Sequence, residues 1–297
     1  MTSRLRRPAL FVVLAMVAPL ALLASTGQVE RAAAAGLPTL TTPSAYWLSR
    51  GYLAWDVSVH PAGTHYALYA APNGGLEVTA TGVAGGTAYP LRLDPAGLPA
   101  GVRSDFPAQA ALGALKLTGV STTKIKSLLR GQLAVVALDP AGVPVAGAGL
   151  QLPGVLDDVY ARADAARLGL SWLRSRPTLA LWAPTAKSVT VHVYRQGAGS
   201  APIATRALTR AARTGVWSVR GPRSWAGRYF RYEVRVYVPE TGKVETNLVT
   251  DPYSVGLSEN STRSLFVDLT ARNLQPRGWA RLRKPQLVDP AGQAITE

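Results

Sequence analysis

The sequence predicts an all-β protein, two tandem antiparallel β-sandwich domains of immunoglobulin-like architecture. Three observations carry this expectation. In residues 188–194, Val189, Val191 and Val193 alternate with Ser188, Thr190, His192 and Tyr194, the period of a half-buried strand. In residues 229–238, Phe230, Tyr232, Val234, Val236 and Val238 share one face, while Tyr229, Arg231, Glu233, Arg235 and Tyr237 share the other. Further short apolar runs lie between turn signals, and nothing alternates strand with helix in the way a parallel barrel requires.

Taken in order, residues 1–35 have the layout of a secretory signal, and secretion is the expected localisation. Arg4, Arg6 and Arg7 are followed by the apolar stretch Leu10 to Ala24 and by small residues at Ala32 to Ala35. The apolar stretch is short and interrupted by Pro19, which argues against a membrane span. Residues 36–45 read as a Pro/Thr-rich linker, and residues 46–162 as the first domain. There, Asn73-Gly74 signals a hairpin between the run at Tyr66 and Leu68 and a strand at Leu76–Ala80; Tyr89–Leu93 is a further strand. Ile125, Leu128 and Leu129 have helical spacing after a cap at Ser121, with Gly131 as the stop. Leu133–Leu138 is continuously apolar, as for a central strand buried on both faces. Trp47 and Trp55 are expected to staple an edge strand of this domain.

The second domain is expected over residues 163–286, entered by a short helical piece through Leu168. Leu179 and Leu181 begin a strand that turns through Ala183–Lys187, where Pro184 fixes φ, into residues 188–194. Leu265, Val267 and Leu269 repeat the alternation near its end. Asp-Pro-Ala-Gly recurs at Asp94, Asp139 and Asp289 with unequal spacing, which is repeated turn chemistry and not a structural repeat.

The Leu-Trp-Ala-Pro-Thr-Ala run at residues 181–186 resembles the opening strand of the early-set, starch-binding sandwich of the isoamylase, pullulanase and branching-enzyme group. Val249 to Ser254, Asn260-Ser261 with Arg263-Ser264, Val267-Asp268-Leu269 and Pro276 to Trp279 follow in the order of pullulanase-type α-1,6-glucosidases. Leu150 to Asp158 resembles the exit from the extra β domain that precedes this module in pullulanases. Ala294-Ile295-Thr296-Glu297, within the closing segment 287–297, resembles the first strand of the family's catalytic barrel. The resemblance implies a non-catalytic N-terminal segment of a secreted debranching enzyme, inactive alone. Its partners would be α-glucans such as pullulan, starch, glycogen and limit dextrins, together with a catalytic barrel on missing or separate sequence. The alternatives are a freestanding secreted α-glucan-binding protein and a purely structural pair of sandwiches.

Composition narrows the chemistry. The formal charge is +15, and because residues 1–35 hold four Arg and one Glu the remainder is still strongly basic. Six Lys against twenty-six Arg, without basic runs interleaved with aromatics, reads as compositional bias, and nucleic acid is not an expected partner. Arg206, Arg210 and Arg213 come closest to such a run and read as a solvated loop or edge. With no Cys, a disulfide framework and thiolate metal sites are excluded. The three His residues lack metal-ligand spacing, so no metal or cofactor is expected; Asp251 or Asp268 leaves Ca²⁺ possible without a supporting loop pattern.

Glycoside hydrolysis needs two carboxyl groups facing across the scissile bond. Asp157-Asp158 is the obvious acidic pair, but neighbours point apart, so no catalytic residue is expected. Sugar binding asks instead for aromatic faces. Trp217, Trp225 and Tyr229 are the candidate carbohydrate-binding residues. Trp217 shares a strand face with Val219, and its burial would stabilise by about 4–6 kcal/mol, against about 4 kcal/mol for a whole millimolar glucan complex. Structural demand therefore competes strongly for it. Trp225, in the turn-like stretch 222–227 beside Tyr229, is either a stacking platform or a cover for a sheet edge.

Overall fold

The computed structural model describes residues 40, 43–283, 290, 291 and 293. The expected signal segment and Ala294–Glu297 lie outside the described residues, as do parts of both linkers. No helix among the described residues is long and apolar enough to cross a membrane.

The first domain contains nine strands: β1 (Pro43–Ser49), β2 (Tyr52–Trp55), β3 (His65–Ala71), β4 (Glu77–Thr79), β5 (Gly82–Ala84), β6 (Thr87–Asp94), β7 (Gly113–Leu117), β8 (Gln132–Leu138) and β9 (Pro144–Gln151). Three short helices accompany them, α1 (Ala100–Asp105), α2 (Thr122–Leu128) and α3 (Pro153–Tyr160). The all-β class holds, but this sheet closes on itself in the order β1-β2-β7-β6-β3-β8-β9. The closing pair, β1 with β9, is parallel, from Pro43 opposite Gly149 to Tyr46 opposite Gln151. Alternation reveals which face of a strand is buried; it does not reveal that the first strand will meet one far along the chain. Closure also corrects the expectation for Trp47 and Trp55. The barrel leaves no edge at β1 or β2, and the two rings fill its core at 0% and 6% exposure.

The hairpin expected at Asn73-Gly74 does not form. β3 pairs with β6 and β8, while β4 and β5 make a separate two-stranded excursion. Gly74 has φ +88°, and a Cβ there would sit 2.4 Å from the Gly242 carbonyl oxygen of the second domain. Its glycine answers to a close approach between domains as well as to a turn.

Other local expectations are met. Gln132 to Ala137 of β8 are all buried. Ser121 caps α2, its hydroxyl accepting from the Lys124 N–H at 3.2 Å, with Ile125 and Leu128 turned inward. Ser121→Ala is expected to destabilise the first domain by about 1 kcal/mol in urea unfolding. A midpoint unmoved by the substitution would show that the cap contributes nothing. At the exit, α3 is fastened to the end of β1 by a bidentate pair, Arg50 Nη2 to Asp158 Oδ1 at 2.8 Å and Arg50 Nε to Asp158 Oδ2 at 3.2 Å. Burial raises the Asp158 carboxyl, but the bonds and charge of Arg50 outweigh it and hold the group below its usual range.

The second domain is a two-layer sandwich. Its strands are β10 (Gly169–Leu173), β11 (Arg176–Trp182), β12 (Ser188–Tyr194), β13 (Pro202–Ala207), β14 (Thr209–Arg210), β15 (Val216–Arg220), β16 (Tyr229–Val238), β17 (Lys243–Val249) and β18 (Ser264–Leu265). One sheet runs β10-β11-β15-β14; the other runs β13-β12-β16-β17, with β18 also on β16. Val191 lies opposite Tyr232 and Val193 opposite Phe230, so both alternating runs turn the same face to the core.

The strand expected through Leu269 stops after two residues. β17 already pairs with β16 from Tyr232 onward, leaving β18 only Tyr229 and Phe230. Phe266 then drops into the core at 1% exposure, while Leu269 is 62% exposed.

Basic side chains stitch the domains together. Arg130, just past α2, donates to the Ala186 and Lys187 carbonyls at 2.9 and 2.8 Å. Lys126 lies over the Tyr160 ring, 4.4 Å from its centroid, and donates to the Ala212 carbonyl at 3.1 Å. Arg210 donates to the Tyr160 hydroxyl and the Pro184 carbonyl. The reading of Arg210 as solvated is thus corrected: it is an interdomain contact. The nearby Arg206 and Arg213 made it read as part of a solvated basic run, whereas Tyr160, at the end of α3, comes from far along the chain to pair with it.

Candidate functional site

The three candidate sugar-binding aromatics separate by burial. Trp217 is 7% exposed in the sandwich core, and its indole N–H donates to the Ala183 carbonyl at 2.9 Å. Trp225 is 4% exposed. Its ring packs 5.3 Å from Phe266, the Arg206 guanidinium sits 5.6 Å above it, and the backbone of Gly221 lies against it. Of the two roles open to Trp225, the structure gives it packing. Tyr229 is half-buried on the outer face of β16, where the loop at Gly197 and Ser258 closes over its hydroxyl end. The three therefore form no common stacking surface.

What the second domain offers instead is a cleft of about 560 Å³ where the two sheets part beside β17. Val234, Val236 and Val249 provide apolar floor, and Leu181 to Ala183 approach from the opposite sheet. Strand register places Asn247 here. It lies opposite Val234 on the inward side of β17, where a buried strand would carry an aliphatic residue. Because β17 is an edge strand that the other sheet does not fully cover, the amide reaches a wet cleft and not a dry core.

The rim is polar. It comprises Arg231, Thr250 and the turn Asn260-Ser261-Thr262. Asn260 and Ser261 have φ of 56° and 55°, a left-handed pair without glycine. The turn is held by the Ser261 N–H on the Ser258 carbonyl at 3.0 Å and by Thr262 Oγ1 on the Gly197 carbonyl at 3.3 Å. Arg263 secures the facing loop, stacked 3.7 Å over Tyr194 and bonded to Gln196 and Ser200. The Asn260-Ser261-Thr262 sequence thus makes local turn bonds. Its place on a cleft rim was not legible, although two polar residues in a non-glycine turn were a signal.

Apolar floor with amide, hydroxyl and guanidinium groups above it suits a ring with C–H faces and hydroxyl edges. No carboxylate lines the cleft, so it has no two-carboxylate machinery for hydrolysis. Elsewhere, Asp158 is committed to Arg50, and Glu233 pairs with His192 at 3.1 Å.

Asp251, one of the two residues that left Ca²⁺ open, lies below the cleft at 3% exposure. Its carboxylate accepts from the Tyr253 N–H at 2.9 Å and the Tyr232 hydroxyl at 3.4 Å. Burial pushes it up to about 6 against those two bonds. The other, Asp268, accepts from the N–H and hydroxyl of Thr270. Among the described residues, no three His, Asp or Glu side chains gather as a metal site.

Residues 42–158 match the Pullulanase N2 domain, and residues 167–254 match carbohydrate-binding module 48, the isoamylase N-terminal domain. The chain is 37% identical over 257 residues to pullulanase 1, chloroplastic, of Arabidopsis thaliana, covering 84% of this chain and 26% of that protein. It is 34% identical over 245 residues to the pullulanase of Klebsiella pneumoniae, covering 81% of this chain and 22% of that one. The maltotriose complex of PulA from Klebsiella pneumoniae superposes with a TM-score of 0.75 at 30% identity, over 84% of this chain and 26% of that one. This chain thus spans about a quarter of the length of the relatives it matches.

Proposed function

The chain carries a pullulanase N2 domain followed by a carbohydrate-binding module 48, and on that premise we propose that it is a non-catalytic, α-glucan-binding segment of a secreted debranching glycoside hydrolase. The carrying observation is the cleft beside β17, an apolar floor under the amide and hydroxyl rim of Asn247 and Asn260 to Thr262. Maltotriose in the PulA structure supports a linear α-glucan as the ligand class. The basic, apolar and Ala-rich order of residues 1–35 supports export. Support of a catalytic domain is the second part of the role. It draws on the bonded interface between the two domains and on apolar side chains left exposed toward the end of the chain, among them Val255 at 62%, Leu269 at 62% and Trp279 at 57%.

Asn247→Ala tests the cleft on amylopectin affinity gel. One lost hydrogen bond is worth about 1 kcal/mol, so the dissociation constant is expected to rise about fivefold with the unfolding midpoint retained. Unchanged retention of the variant would move the binding site elsewhere. Absence of retention by the parent chain would end the glucan-binding reading altogether.

A further inference from the structure

We propose that a second cavity, at the junction of the two domains, binds a phosphate group, as the free ion or as the monoester of a sugar. The cavity has a volume of about 330 Å³, at the small end of the roughly 300–1,000 Å³ range of ligand sites. Lys124 and Arg130 reach it from α2 and its C-terminal end, Lys187 from the turn before β12, and Arg235 from β16. No Asp or Glu lines it. Among the described residues, no carboxylate forms an ion pair with any of the four, since the two pairs present are Arg50 with Asp158 and His192 with Glu233.

Four cations drawn to one cavity without an anion repel one another. The repulsion registers at Lys187, where burial lowers the ammonium pKa and Arg130 and Arg235 lower it further. Donor capacity remains unspent. Arg130 commits Nε and one Nη to backbone carbonyls, leaving its other Nη free, and Lys187 gives one bond to the Pro72 carbonyl at 2.5 Å. Lys124 points toward the face of Tyr89 at 5.9 Å, and Arg235 extends from an exposed outer-face position.

A phosphoryl group carries about −1.5 to −2 charge on three acceptor oxygens, which matches donors converging from several directions. The donors form a compact cluster around a half-open cavity between two domains, not a stripe, which favours one small oxyanion over a polyanionic chain. The hydroxyls of Ser127 and Tyr89 on the wall provide partners for a sugar attached to it. Because the cations come from both domains, occupancy would also tighten their junction.

This site is independent of the glucan cleft, and its test uses different ligands. Isothermal titration of the chain at low ionic strength would compare inorganic phosphate, glucose 6-phosphate and glucose, with chloride matched. Both phosphate species are expected to bind saturably and glucose not at this site; the tighter of the two identifies the free ion or the ester as the ligand. Lys124→Gln with Arg235→Gln removes two charges that bond no backbone carbonyl, and is expected to weaken binding at least about tenfold with the circular dichroism of the parent. Absence of saturable phosphate binding, or equal binding by parent and variant, would overturn the proposal.

Discussion

Trp225→Ala is expected to lower the stability of the second domain by about 3–5 kcal/mol, the usual cost of truncating a buried Trp. The ring packs against Phe266 and the Arg206 guanidinium, beside a glycine whose missing side chain makes room for it. A Cβ at Gly221 would fall 2.2 Å from the indole Cε3, so the two positions are matched in shape. Truncation leaves a cavity that these neighbours can collapse into only by shifting the backbone that carries them. The urea midpoint should fall with little change in slope, and the fraction still folded should keep its parent affinity for amylopectin. The opposite pattern, an unmoved midpoint with lost retention, would make Trp225 a sugar-contacting ring and refute its placement in the core.

How this residue came to be ambiguous shows what a linear pattern holds. Alternation at residues 188–194 and 229–238 was enough to put Val191 and Tyr232 on one face of each strand, because strand period is a local quantity; that the two lie opposite each other came from the register. Ser121 as a cap and the doubly buried strand at Leu133–Leu138 were equally local. Trp225 sits in a turn, where no period exists, and its burial depends on Phe266 arriving from beyond β17. The same limit accounts for β1 closing onto β9, for Arg210 turning from a surface residue into an interdomain contact, and for Gly74 serving the approach of Gly242. The cleft was hidden for a related reason. Asn247 reads as polar and outward until the register places it on the inward side of an edge strand that nothing fully covers. Family resemblance covered both domains but assigned no sugar contacts; the stacking chemistry of sugars pointed to three aromatics, and burial places two of them in the core.

Asp251 should give the second domain an uncommon pH dependence. Its carboxyl is pushed up to about 6 by burial in the native state, whereas in the unfolded chain it titrates near ~3.9. Between those values the native state holds more protons than the unfolded one, so this group's contribution is fully present below about pH 4 and is lost as pH rises through about 6. Two units correspond to about 3 kcal/mol, opposite in sign to the usual salt-bridged carboxylate. Asp251→Asn keeps an oxygen acceptor for the Tyr253 N–H and turns an amide donor toward the Tyr232 hydroxyl, which then accepts, while abolishing the charge. The variant is therefore expected to match the parent near pH 4 and to exceed it by about 2–3 kcal/mol at pH 7.5, measured by urea unfolding across that range. If the parent instead gained stability between pH 4 and 7 and the variant lost it, the carboxylate would be favoured in its charged form. Its two hydrogen bonds, or a positive charge held against it, would then outweigh burial, and the Ca²⁺ possibility raised by its acidic side chain would reopen.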